Sequence, residues 1–196
     1  MSKKSVRNTK GKIIVAAWKL FYEQGYDDTT IEEIIEESGT SKGSFYHYFA
    51  GKDALLSSLS YMFDEKYEEL MEDIDPDMNS FDKLVYLNRE LFLMIENSIS
   101  LDLLAKLYSS QLITKAEKHL LDHNRIYYKL LRNIFSQGQD RGEITKDLSV
   151  NELVKVYAML ERAFLYDWCL SNGDYSVFQY SKTMMPMFFS SFRKMK

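Results

Sequence analysis

Residues Thr29 to Phe49 read TTIEEIIEESGTSKGSFYHYF, and the fold is decided by how this stretch is parsed. Ile31, Ile34, Ile35 and Ser38 fall at i, i+3, i+4 and i+7, on one face of a helix. Thr30 followed by Glu33 has the spacing of a capping box, which starts that helix at Thr30. Gly39 supplies the backbone freedom that ends it. Thr40 or Ser41 then caps a second helix that runs through Phe49. On this second helix Phe45 and Tyr48 share a face with Ser41, while Lys42, Tyr46, Gly43 and His47 lie on the opposite side.

A short helix with an aromatic inner face and a Lys/Gly/Tyr/His outer face is poor core material and suits a DNA groove. Lysine reaches phosphates or guanine edges, glycine admits close backbone approach, and Tyr and His donate hydrogen bonds to phosphate oxygens. The two helices resemble the helix-turn-helix of TetR-type transcriptional repressors, whose recognition helix reads roughly S-K-G-x-[LF]-Y-x-[HY]-F. Ser41, Lys42, Gly43, Phe45, Tyr46, Tyr48 and Phe49 match that pattern. The resemblance extends from Ile13 to Leu55, with Ile35, Ser38 and Thr40 standing where the family usually has Ala, Ala and Val. The expected DNA-contact set is Thr30, Thr40, Ser41, Lys42, Gly43, Ser44, Tyr46, His47 and Lys52. For Lys52 the phosphate contact is what the resemblance implies; taken alone, the residue reads equally well as a solvated lysine.

The chain has 196 residues, 45% of them hydrophobic, with only two Pro and eight Gly. Few breakers and few alternating stretches predict an all-α protein of about nine helices. The expected division is a three-helix DNA-binding headpiece over residues 1–51 and a helical ligand-sensing and dimerisation bundle over 52–196. One cysteine, Cys169, excludes an intramolecular disulfide and suits a reducing cytoplasm. No signal peptide, membrane span or internal repeat is read in the sequence. Net charge is −4, yet residues 1–12 hold five bases and no acid, and residues 1–60 balance at eight bases and eight acids. An isolated basic run usually solubilises a tail; beside a helix-turn-helix, phosphate contact is the better reading of Lys3, Lys4, Arg7, Lys10 and Lys12.

In chain order, a first helix from Asn8 or Thr9 to about Gln24 buries Ile13, Ala16, Ala17, Leu20 and Phe21. A helix opened by Gly51 and Lys52 continues to about Glu72 as the link to the second domain. A break containing Pro76 precedes helices at 80–97 and 100–110. One long helix is expected over 114–139, then two apolar helices at 149–172 and 175–194, the last kinked at Pro186. The last two present more apolar surface than one small bundle buries, and Leu160, Phe164, Trp168, Met184, Phe188 and Phe192 are assigned to a homodimer seam. In the family resembled, the last two helices form the dimer interface.

Tyr, Phe and Met recur through the central helices, mostly as core. Phe63, Tyr67, Tyr108, Tyr127, Met159, Arg162 and Tyr166 are assigned to an effector pocket, because tyrosine joins an apolar ring to a hydrogen-bonding tip. Glu161 and Arg162 stand out as charges inside an apolar run. His119 and His123 are four apart on the expected long helix, but without a third ligand they read as a solvated face, and no metal is assigned. Cys169 reads as a structural thiol. With no phosphate loop or nucleophile elbow, the chain does not read as an enzyme, and no cofactor is assigned. The overall expectation is a cytoplasmic homodimeric repressor of a palindromic double-stranded DNA operator, responsive to a small-molecule effector of unknown identity. The rivals are a helical enzyme or ligand carrier that keeps the headpiece as a structural remnant, and an architectural DNA binder without an effector.

Overall fold

The computed structural model describes residues 9–114 and 118–193. The described residues form ten α-helices: α1 (Thr9–Gln24), α2 (Ile31–Ser38), α3 (Lys42–Tyr48), α4 (Lys52–Leu56), α5 (Leu59–Asp73), α6 (Ser80–Ser98), α7 (Leu101–Ile113), α8 (Ile126–Asp140), α9 (Val150–Leu170) and α10 (Val177–Ser190). Among the described residues the only β pairing is an isolated bridge between Ile144 and Arg193. Described residues within Met1–Tyr61 and Ser100–His119 make one compact unit, and those within Met62–Ile99 and Leu120–Lys196 make another. Lys3, Lys4 and Arg7 of the expected basic arm lie outside the described residues.

In the first unit, α2 begins as its sequence predicts. Thr30 Oγ1 accepts from the Glu33 N–H at 3.2 Å, and Glu33 Oε2 accepts from the Thr30 N–H at 2.7 Å. Gly39 then turns left-handed at φ 60°, a conformation cheap only for glycine, and returns its N–H to Glu36. Ser41 caps α3 by accepting from the Ser44 N–H at 3.1 Å. Ile13, Ala17 and Phe21 of α1 are buried with Ile34, Phe45 and Phe49 of the following helices. Removing these apolar side chains from water supplies most of the headpiece's stability, at roughly 1.5–3 kcal/mol for each large side chain.

The continuous helix expected from Lys52 does not form: α4 ends at Leu56 and α5 starts at Leu59. The physical cause is a run of serines. Ser57 Oγ bonds the Ala54 carbonyl at 2.7 Å, Ser58 Oγ the Leu55 carbonyl at 2.5 Å, and Ser60 Oγ the Ser57 carbonyl at 2.6 Å. Each hydroxyl competes for a carbonyl that the helical ladder would otherwise use. Trp18 Nε1 reaches across from α1 to Ser58 Oγ at 2.7 Å and holds the break in place.

The long helix expected over 114–139 is likewise two elements. Thr114 is extended and closes α7; a short 3₁₀ turn follows at His119–Leu121, and α8 starts only after Arg125. Asp122 Oδ1 accepts the Asn124 N–H at 2.8 Å in a local turn, and Asp64 of α5 receives the guanidinium of Arg125 and the N–H of Tyr127. His119 and His123 therefore do not share a helix face.

In the second unit, α6, α8, α9 and α10 pack around Leu84, Phe92, Leu131, Phe135, Tyr157 and Phe189. Ser149 and Glu152 form a second reciprocal capping box at the start of α9. α10 runs on through Pro186 to Ser190. Gly138 lies inside α8, where an added Cβ would stand 2.4 Å from Ile144 and 2.8 Å from Ser80; the close approach requires glycine.

Candidate functional site

Lys42, Gly43, Tyr46 and His47 are exposed on the outward side of α3 and the capping Ser41 is exposed at its start, while Phe45 and Phe49 fix the other side in the headpiece core; Tyr48, expected on the inner aromatic face, is 39% exposed. Thr30 is exposed at the start of α2, and Thr40 and Ser44 are half-buried. Lys42 Nζ reaches Glu32 at 3.2 Å, but both side chains are well exposed, so the pair is screened and easily exchanged for a phosphate. A Cβ on Gly43 would meet nothing closer than Ser41 Oγ at 3.9 Å. Packing within the chain does not call for glycine there.

Lys52 is engaged differently. Its Nζ donates to the carbonyls of Tyr26 at 2.7 Å, Thr29 at 2.8 Å and Asp27 at 3.2 Å, and stands 4.4 Å above the Tyr26 ring. An ammonium has three protons, and all three are matched inside the chain. A phosphate contact through Lys52 would have to replace one of these bonds. Tyr26 also donates its hydroxyl to Asp53, and burial together with that bond raises its pKa. Lys106 of α7 stands 5.4 Å from the centre of the same ring and pairs with Asp27 at 2.7 Å. The loop between α1 and α2 is thus tied to both α4 and α7.

The residues assigned to an effector pocket separate. Tyr67 and Tyr127 do come together, with ring centroids 5.1 Å apart, and both hydroxyls point at Glu161. Phe63 is buried in the same unit, and Arg162 donates to Tyr128 Oη at 3.2 Å. Tyr108 belongs to the first unit. Met159 and Tyr166 are 52% and 47% exposed, and at positions seven apart they share the outer face of α9. Asn88, which binds Glu161 from α6, and the buried pair Asp64–Arg125 carry no local signal in the sequence. Burial raises the Glu161 pKa, partly offset by the bonds it accepts from Asn88 and the tyrosines.

The assigned dimer seam divides too. Phe188 is 43% exposed, and Leu160 and Met184 are half-buried. Trp168 and Phe192 are only 6% and 3% exposed within one chain, and Phe164 is also buried. Trp168 donates to the Tyr175 carbonyl and Phe192 packs against Phe135 and Phe189. These three have little surface left to give a partner. The apolar groups still exposed on α9 and α10 are Val156, Met159, Tyr166, Leu170, Tyr180, Met187 and Phe188.

Cys169 is half-buried, and burial pushes its thiol up to about 11, the behaviour of an unreactive side chain. Among the described residues no group of His, Cys, Asp and Glu converges as a metal site, and no helix is long and apolar enough to cross a membrane.

Residues 13–59 match the family model of bacterial regulatory proteins, tetR family. The HTH-type transcriptional regulator YuxN of Bacillus subtilis (strain 168) is 45% identical over 60 residues, 30% of this chain and 21% of that relative, so the match spans about a fifth of its length. The fatty acid metabolism regulator protein of the same organism is 24% identical over 183 residues, covering 91% of this chain and 93% of that protein. In fold, the chain is similar to the transcriptional regulator FadR from Bacillus subtilis in complex with stearoyl-CoA, with a TM-score of 0.70 at 22% identity over 93% of this chain and 98% of the other.

Proposed function

Because this chain belongs to the TetR family of bacterial regulatory proteins, we propose that it is a cytoplasmic, ligand-responsive transcriptional repressor. In this reading it binds a palindromic operator as a homodimer and is released by a small-molecule effector. The observation that carries it is the outward surface of α3, where Lys42, Gly43, Tyr46 and His47 stand exposed on a helix whose other side is locked by Phe45 and Phe49. A helix so presented offers side chains to the major groove, and a dimer offers two such helices to successive half-sites.

The proposed division gives residues 1–51 to DNA and 52–196 to sensing and dimerisation. The exposed apolar stripe of α9 and α10 supports pairing of two copies across a two-fold axis. The shared chain of α5, whose first residues belong to the first unit and the rest to the second, supports coupling of effector and operator. An enzyme or carrier reading is not favoured, since the relatives matched are regulators.

The test begins with selection of duplexes from a random pool by the purified protein, followed by salt titration on the selected and a scrambled duplex. A palindromic preference is expected, and Lys42→Ala should weaken the selected duplex by about 1–3 kcal/mol. Failure to enrich any duplex over the random pool would sink the repressor reading.

A further inference from the structure

The α2 helix holds Glu32, Glu33, Glu36 and Glu37 and no base. On an element that stands beside a recognition helix this is unexpected, because exposed acids are repelled by a polyanion. Two of the four are accounted for by the fold. Glu33 closes the capping box with Thr30, and Glu37 pairs with Lys19 of α1 at 2.7 Å. Glu32 is turned toward α3 instead: its Oε1 accepts from Lys42 Nζ at 3.2 Å.

Lys42 opens α3 and is the lysine of that helix. Both partners are about two-thirds exposed, at 67% and 70%, so the pair contributes little to folding. The first turn of α2 does not need it, since Thr30 and Glu33 already cap each other there. What the pair does fix is where the full positive charge of the recognition helix sits in the free protein. An ammonium held on a carboxylate attracts distant phosphates weakly. On an unmatched duplex a phosphate is one solvated oxyanion in place of another, and the exchange would also leave the Glu32 charge bare beside the DNA. On a matched duplex α3 is seated in the groove, and Lys42 gains a base edge or a phosphate held at the right place.

We propose that Glu32 is a specificity-determining residue, which withholds Lys42 from unmatched DNA and releases it to the operator. The proposal rests on the reading of α3 as the recognition helix and adds the means by which other DNA is rejected. Glu32 acts through Lys42 and is in that sense a positioning residue. Glu36, one turn further along α2, is exposed and lacks that tie, so it provides the same change of charge as a control.

The experiment is salt titration of the full-length protein on the selected and the scrambled duplex. It compares wild type with Glu32→Gln, Glu36→Gln, Lys42→Ala and the double variant Glu32→Gln with Lys42→Ala. Glu32→Gln should bind the scrambled duplex roughly tenfold more tightly near 0.1 M salt, with a slope steeper by about 0.9, the counterion released by one freed lysine. On the selected duplex its slope should stay as in wild type and its affinity rise only about twofold, because Lys42 is already engaged there. With Lys42 replaced by alanine, Glu32→Gln should do no more than Glu36→Gln. Equal gains on both duplexes overturn the proposal, as does an equal effect from Glu36→Gln or an effect that persists without Lys42. If the wild type enriches no duplex, the repressor reading fails. A slope on random DNA steepened by Glu32→Gln then still upholds the restraint on Lys42, and an unchanged slope overturns it.

Discussion

Asp64 and Arg125, 61 residues apart, form a two-pronged ion pair at the entrance to α8, with guanidinium nitrogens 2.8 Å and 3.1 Å from the two carboxylate oxygens. Both side chains are buried. Asp64 also takes the Tyr127 N–H, one of the orphan donors of the first turn of α8. The pair thus acts as a helix cap borrowed from another helix.

Breaking that pair strands a charge in the core. Arg125→Met should cost roughly 3–5 kcal/mol, and the double variant Asp64→Leu with Arg125→Met should recover most of it. Denaturant melts of the two single variants and the double variant give the coupling. Purely additive losses would mean that the pair contributes nothing as a pair.

Lys52 separates two roles by measurement. Three carbonyl partners predict that Lys52→Met lowers the melting temperature of the free protein, because the loop between α1 and α2 loses its tie. A phosphate contact predicts instead a salt dependence of DNA binding shallower by about one unit. The expected outcome is the first. An unchanged melting temperature with a shallower salt slope would reverse the assignment.

Phe188 and Phe192, one turn apart on and just beyond α10, should behave oppositely. Phe188→Glu places a charge on the exposed stripe and should give a folded monomer. Phe192→Glu places it in the core beside Phe135 and should unfold the second unit. Sedimentation with circular dichroism distinguishes them. A folded dimer in the Phe188 variant would remove that part of the stripe from the interface.

Glu161 predicts a pH dependence whose sign follows from its raised pKa. Above the ordinary glutamate value the unfolded chain releases the proton and the folded chain retains it, so the folded state holds more protons. Stability therefore falls as pH rises from the unfolded pKa to the folded one, and levels off above both. The carboxyl is faced by Tyr67 from α5, Asn88 from α6, Tyr127 from α8 and Tyr157 on its own helix, all uncharged in this range, with Arg162 as the nearest cation along the chain. Glu161→Gln should flatten that slope and melt a few degrees higher at neutral pH. A lower melting temperature with an unchanged slope would show that the carboxylate is well compensated in place.

The headpiece was legible because its signals are local. A capping box joins Thr30 to a residue three positions on, Gly39 answers a backbone angle at its own position, and Phe45 and Phe49 are one helical turn apart. Interactions of that range are written in consecutive residues, so the sequence by itself determined the helix-turn-helix, its outward face and the all-helical class. Tertiary structure alone decided where α4 gives way to α5, where α8 begins, and which aromatic residues of α9 and α10 remain exposed. Trp18 reaches Ser58 from 40 residues away, Arg125 finds Asp64 from 61, and Tyr127 and Asn88 meet Glu161 from 34 and 73. Helical periodicity says which residues share a face, but not which side of that face another helix will cover. Phe188 and Phe192 carry the same side chain one turn apart, and only the packing of Phe135 and Phe189 around the second separates surface from core.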